Sequence, residues 1–212
     1  MKSKTDWNLS MLPLLDKYKG RKHPLEYSNN YQLVVMVILS ARATDKFLNQ
    51  LAPDFFAAYP DLESLSLAKP EDLHPYLRKL PGFIKKSEWL VALAQKIKSD
   101  KNIPLTMEGL TALPGIGRKS ANVIMREAGA EAEGVIVDLH VLRVAPRLGI
   151  AKGEKPEDVE AQIMKKIDRN NWGEAGMAFS FLGREICRPT DPLCTQCILS
   201  SACRFFNSQR KK

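Results

Sequence analysis

Apolar residues recur at helical spacing along most of the chain, and no alternating pattern of useful length predicts a strand. One stretch breaks the periodicity, because Leu33-Val34-Val35-Met36-Val37-Ile38-Leu39 is apolar at every position. Such a run fits a buried helix or a buried strand. The helical patterns on both sides predict a helix, surrounded on all faces as the centre of a domain. Ser28, Asn29 and Asn30 offer caps for it, and it should run to Ser40. Before it, residues 9–18 predict one short amphipathic helix, with Pro13 near its start, and residues 21–24 a basic linker. After it, residues 40–45 break the run and cap a helix reaching Tyr59. Pro60, Pro70 and Pro81 punctuate the next part of the chain, with helices over residues 70–79, 84–100 and 107–113. The helix opened by Arg118 carries Ala121, Ile124, Met125 and Ala128 as an inward stripe, with Lys119 nearly opposite. Residues 134–137 form a short extended link to a helix opened by Asp138 and ending near Leu148. Helices over residues 156–168 and 172–186, a cysteine-rich segment and a basic, disordered tail at 208–212 complete the expectation.

Within this all-helical string, Leu113-Pro114-Gly115-Ile116-Gly117-Arg118-Lys119-Ser120 predicts a tight helix–turn–helix. Pro114 presets one dihedral, and Gly115 and Gly117 should supply conformations that other residues resist. Both glycines also leave backbone N–H groups open to close approach. Such groups at a helix start bind anions, phosphate first among them. Arg118 and Lys119 add positive charge. The alternative is a turn whose glycines only relieve strain. Leu80-Pro81-Gly82-Phe83-Ile84-Lys85-Lys86-Ser87 repeats the octet at five positions, with Lys85 for Arg118 a sixth, conservative match. Ile84 stands where the second copy has Gly117, and its side chain would obstruct a backbone approach. Phosphate binding is therefore assigned to the second copy.

Charge points the same way. Lys plus Arg is 32 against 24 Asp plus Glu, a formal net charge of +8, with a pI near 9.3. An anionic partner is expected, nucleic acid before a membrane surface. No apolar run approaches the ~20 residues of a membrane-spanning helix, and the polar start of the chain predicts no secretory signal. The 4 cysteines fall together as C-x6-C-x2-C-x5-C: Cys187, Cys194, Cys197 and Cys203. Clustering favours a metal centre in a reducing compartment over scattered disulfide staples. Structural zinc sites usually pair two short C-x-x-C knuckles. A single C-x-x-C with long flanking spacings favours a [4Fe–4S] cluster over zinc.

Lys119 is the nucleophile candidate, since a deprotonated lysine amine can form a Schiff base with a carbonyl-like carbon. Asp138 is the carboxylate candidate, with a simple helix N-cap as its alternative role. With these motifs in hand, the chain resembles the endonuclease III family of helix–hairpin–helix DNA glycosylases. The resemblance rests on residues 113–120 with Ala121-Asn122-Val123, Val137-Asp138-Leu139-His140-Val141 with Arg143, residues 40–45, Gly183-Arg184 and the cysteine spacing.

It implies an all-α fold of two domains facing across a DNA-binding cleft. Residues 25–134 would form a six-helix domain with the hairpin. Residues 1–24 and 135–212 would form a second domain with the [4Fe–4S] loop held by Cys187, Cys194, Cys197 and Cys203. Lys119 sits at the family's catalytic lysine and Asp138 at its catalytic aspartate. Gly115, Gly117, Arg118, Arg42 and Phe83 fall at DNA-binding positions, Phe83 as a wedge. Four residues depart from the family pattern: Arg42 for a usual glutamine, Leu139 for threonine, Leu182 for histidine and Ile84 for a frequent tyrosine. They bear on the lesion and the opposing base, and leave the reaction type intact.

The implied activity is a bifunctional DNA glycosylase and abasic-site lyase that excises oxidised pyrimidines from duplex DNA. It would act as a monomer in the cytoplasm, at the nucleoid in a bacterium, with no membrane partner. The alternatives are a uracil or mismatched-thymine glycosylase on the same scaffold, or a non-catalytic DNA-binding module.

Overall fold

The computed structural model describes residues 5–209, and among them every regular element is helical. In chain order these are α1 (Trp7–Ser10), α2 (Leu12–Lys17), α3 (Asn30–Leu39), α4 (Asp45–Ala58), α5 (Leu62–Leu67), α6 (His74–Leu77), α7 (Phe83–Ile97), α8 (Met107–Thr111), α9 (Arg118–Glu127), α10 (Leu139–Leu148), α11 (Pro156–Met164), α12 (Trp172–Glu185) and α13 (Arg204–Gln209). Short 3-10 turns lie at Pro70–Leu73, Asp100–Asn102, Arg169–Asn171 and Cys194–Gln196. The all-α expectation holds, and none of the described helices is long and apolar enough to cross a membrane. The chain divides into two compact units, one made of Lys22–Ala130 and the other of the segments on either side of it.

The unit Lys22–Ala130 is built around α3. Asn29 caps it, its side chain accepting a hydrogen bond from the amide of Gln32 at 2.9 Å. Tyr31 and every residue from Leu33 to Leu39 are buried, because α4, α7 and α9 all pack on this helix. That is why the run carries no polar stripe. Thr44 caps α4. Pro53 lies inside α4 but on its exposed side, where the carbonyl it leaves unpaired can reach water. Helix α5 is not legible in the sequence as a separate element, although Asp61 and Ser64 form a reciprocal cap at its start. A serine in place of the usual Glu or Gln at the third position hides that signature. Helix α7 stops at Ile97, short of the expected 100, where Lys98 turns into a left-handed conformation (φ 65°).

In the other unit, α12 packs closely on α10 and on the link before it, and two glycines allow this. A Cβ on Gly183 would stand 2.8 Å from the His140 Cβ of α10, and one on Gly176 would stand 2.5 Å from the Ile136 carbonyl oxygen of the link. The extended link carries buried Val135, Ile136 and Val137 under α12, and Glu160 accepts the Val135 amide at 3.1 Å. The single N-terminal helix expected over 9–18 is two, α1 capped by Asp6 and α2 opened by Pro13. Tyr18, just after α2, donates to Glu185 of α12 at 2.8 Å. Arg21 pairs with the same carboxylate and lies 4.1 Å over the Phe181 ring. Ser208 and Gln209, expected in a disordered tail, belong to α13, and residues 210–212 lie outside the described residues.

Candidate functional site

The second octet forms the turn between α8 and α9. Gly115 takes φ +79°, and a Cβ there would stand 2.9 Å from Cε3 of Trp89, so both backbone and packing demand glycine. Gly117 does not fit the same expectation. Its φ of −93° is ordinary extended backbone, so conformation does not call for glycine there. A Cβ at Gly117 would meet open space, and nothing within the chain excludes a side chain. Gly117 is also the N-cap of α9 and provides no side-chain cap. The first-turn amides of α9 thus have no capping side chain at the end of the helix that favours anions. Gly117, Arg118 and Lys119 are all exposed around that end.

These two glycines should therefore respond differently to alanine. Gly115→Ala is expected to destabilise the protein by about 1–3 kcal/mol through strain and the Trp89 contact. Gly117→Ala should change stability by less than about 0.5 kcal/mol, yet weaken duplex binding roughly ten-fold by blocking backbone approach. Thermal melts and anisotropy titrations check both.

The first octet has diverged from the second in a way its sequence does not display. Lys86, the counterpart of Lys119, is only 3 % exposed. Its ammonium donates to the carbonyls of Leu39 at 2.9 Å and Ala41 at 2.7 Å, and burial lowers its pKa below the ordinary lysine value. Ile84 is exposed beside it. Phe83, at the start of α7, is half-buried and packs edge-to-face on His74, ring centroids 5.0 Å apart. Arg42 is exposed in the turn after α3, in a left-handed conformation (φ 61°).

Asp138 belongs to the other unit from Lys119. It is the N-cap of α10: one carboxylate oxygen accepts the amides of His140 and Val141, both at 2.9 Å. The other accepts the Ser180 hydroxyl of α12 at 2.6 Å. Three donors fix the carboxylate, and Ser180, fully buried, is a residue that sequence reasoning missed. The signal was present as a lone serine in the apolar run Met177-Ala178-Phe179-Ser180-Phe181-Leu182, since a buried hydroxyl needs a partner.

One turn further along α10, Arg143 donates to the carbonyls of Cys187 at 3.0 Å and Gly183 at 2.9 Å. Arg147 holds the carbonyls of Arg188 at 2.7 Å and Pro189 at 3.0 Å. These two arginines anchor the cysteine segment; sequence reasoning singled out Arg143 as a motif residue without this role and passed over Arg147. Arg143, Arg184 and Arg188 with His140 also line an open groove of about 330 Å³.

Cys187, Cys194, Cys197 and Cys203 line one cavity, with Leu148, Leu182, Ile186, Phe205 and Phe206 among its walls. All four are free thiols. Burial, and secondarily the neighbouring thiols, push Cys194 above the ordinary thiol pKa, and burial does the same to Cys197. Ionising these thiols calls for a strong local positive charge, which a metal centre supplies. Among the described residues no three Cys, His, Asp or Glu side chains stand close enough to hold a single metal ion.

Residues 35–169 match the family model described as HhH-GPD superfamily base excision DNA repair protein. The chain belongs to that superfamily, within the endonuclease III family. Endonuclease III from Synechocystis sp. is 34% identical over 206 residues, covering 96% of this chain and 94% of its own. Endonuclease III from Thermotoga maritima is 31% identical over 183 residues, 85% of each chain. Among solved structures, a non-covalent endonuclease III–DNA complex superposes with a TM-score of 0.82 at 28% identity, covering 94% of each chain. A trapped endonuclease III–DNA covalent intermediate, an estranged-adenine complex, superposes with a TM-score of 0.84 at 27% identity, covering 95% of this chain and 96% of that one. A thermostable thymine-DNA glycosylase shares the fold at a TM-score of 0.74 and 18% identity. Endonuclease III membership therefore agrees with the resemblance drawn from the hairpin and cysteine motifs.

Proposed function

We propose that this endonuclease III-family chain is a base excision repair DNA glycosylase with abasic-site lyase activity, acting on oxidised pyrimidines in duplex DNA. One observation carries the assignment of its nucleophile. Of the two lysines that the repeat makes equivalent, Lys119 is exposed at an uncapped helix start beside open Gly117, and Lys86 is buried on carbonyls. The unit Lys22–Ala130 is the hairpin domain in this reading, and the remainder carries the cysteine loop.

The α9 amides and Arg118 hold a DNA phosphate, and the damaged nucleotide is extruded from the stack. Deprotonated Lys119 attacks C1′ of the sugar. The C1′–N bond breaks, and the base leaves with the bonding pair and takes up a proton. Asp138, its carboxylate fixed by His140, Val141 and Ser180, stabilises the positive charge that develops on the sugar. The amine now on C1′ gives up a proton, the C1′–O4′ bond breaks as O4′ takes one up, and the resulting open-chain Schiff base acidifies C2′. Loss of that proton expels the 3′ phosphate oxygen, which nicks the strand. Duplexes bearing single lesions test the reading: release of oxidised pyrimidines with strand cleavage is expected. Release of only uracil or mismatched thymine would move the substrate assignment to those bases, and binding without release would make the chain a DNA-binding module.

Cys187, Cys194, Cys197 and Cys203 would hold a [4Fe–4S] cluster in this reading, and four free thiols lining one cavity, Cys203 buried and the others half-buried, support it. Bound there, the cluster would cross-link the loop and supply a redox centre, which base excision does not require. Purified protein is expected to be yellow-brown with four iron and four sulfide per chain. Cys197→Ala should loosen the segment and lower DNA affinity before it affects chemistry. A colourless, zinc-loaded and fully active protein overturns the assignment.

Arg42 is proposed to read the opposing strand. Guanidinium only donates hydrogen bonds, and guanine presents paired acceptors to it. Excision should favour lesions opposite guanine, and Arg42→Gln should remove the preference. Equal loss against all four bases, with a shallower salt dependence, would instead make Arg42 a phosphate contact.

A further inference from the structure

The proposed mechanism gives Lys86 no part in base excision or strand cleavage, yet it is a buried charge with two carbonyl partners. Leu39 ends α3, and the last carbonyls of a helix have no partner within it and carry the negative end of its dipole. Ala41 lies two residues on, in the turn that the Ala43 amide closes onto the Ser40 carbonyl at 3.1 Å. Between Ala41 and Ala43 stands Arg42, held at φ 61°, a conformation that costs a residue with a side chain about 1–2 kcal/mol. Lys86 itself sits in the first turn of α7, three residues after Phe83. One ammonium therefore ties the turn bearing Arg42 to the helix start bearing Phe83.

We propose that Lys86 is a positioning residue that clamps the 40–43 turn to α7, so that Arg42 and Phe83 meet DNA as one pre-set element. The proposal rests on the reading that Arg42 and Phe83 face DNA. A lysine suits this task because its compact ammonium can serve two converging carbonyls at the end of a thin apolar stem. Methionine in its place would keep the stem and leave both carbonyls without that donor. The repeat has in effect put one lysine to work at the surface and turned the other inward to hold a strained turn.

The test is a double-mutant cycle of Lys86→Met and Arg42→Ala, with binding measured on a duplex holding a tetrahydrofuran abasic-site analogue. Hydrogen exchange of residues 41–44 is followed in the free protein alongside. Lys86→Met is expected to speed exchange in that turn and to weaken binding roughly ten-fold, but to have little further effect once Arg42 is alanine. Equal losses in both backgrounds, or unchanged exchange, overturn the clamp. If Lys86→Met does not fold, Lys86→Arg takes its place in the cycle, because it keeps the charge while its planar fork misplaces the donors. A smaller but still non-additive loss is then expected, and additivity again overturns the proposal. Failure of the functional reading shows separately, as a wild type with no preference for the abasic duplex over an undamaged one. The exchange measurement then decides the clamp alone.

Discussion

Lys119→Ala is expected to abolish both the borohydride-trapped adduct on abasic DNA and the strand nick, each by at least about a thousand-fold, because it removes the amine proposed as the nucleophile. The fold should not notice the change, since the side chain is exposed at the start of α9 and alanine is a good helix former. Lys86→Ala is expected to give the opposite pattern. It strips the carbonyls of Leu39 and Ala41 of a buried, charged donor, which costs about 1–3 kcal/mol of stability. Its trapped adduct should persist at temperatures where the variant remains folded. Mass spectrometry of the reduced adduct identifies the attached lysine, and an adduct on Lys86 would overturn the site.

Asp138→Asn is expected to leave the protein folded and bound to DNA while base excision falls about a hundred- to a thousand-fold, the usual cost of losing a group aimed at developing charge. Asparagine caps a helix as well as aspartate does, so α10 should keep its start, and the loss of stability should stay within about 1 kcal/mol. Asp138→Ala separates the two roles from the other side. It removes the cap from the His140 and Val141 amides and leaves the buried Ser180 hydroxyl without its partner. That combination costs about 2 kcal/mol or more. An unchanged excision rate in Asp138→Asn, measured as single-turnover base release, would reduce Asp138 to a cap.

The pattern of apolar positions is enough to read α3 as central and buried, because a run apolar on every face has no solvent side to offer. The caps at Asn29 and Asp138 are equally legible, since a short polar side chain before an apolar period has few other uses. What stays hidden depends on contacts distant in the chain. Nothing in Leu80–Ser87 announces that Lys86 points inward, because its partners are carbonyls of residues more than forty positions away. Analogy with Gly115 makes Gly117 look conformationally necessary, and only the backbone angles distinguish the two. Ser180 escapes notice because its purpose, holding Asp138, exists only once α12 lies along α10. The serine in the cap of α5 shows the local limit: one residue of unusual type is enough to blur an element that tertiary packing makes regular.

The way one unit is assembled from both ends of the chain has a consequence for biosynthesis. Residues 22–130 form a compact unit continuous in sequence, which is expected to fold as soon as it leaves the ribosome. Tyr18 and Arg21 cannot dock so early: their partners, Glu185 and Phe181, are translated more than 150 residues later. At about 5–20 residues per second the N-terminal helices wait roughly ten seconds or more for their docking surface. The cysteines, translated later still, therefore join a chain whose hairpin unit is already formed, and nascent chains stalled before α12 should carry that unit intact with an undocked leader.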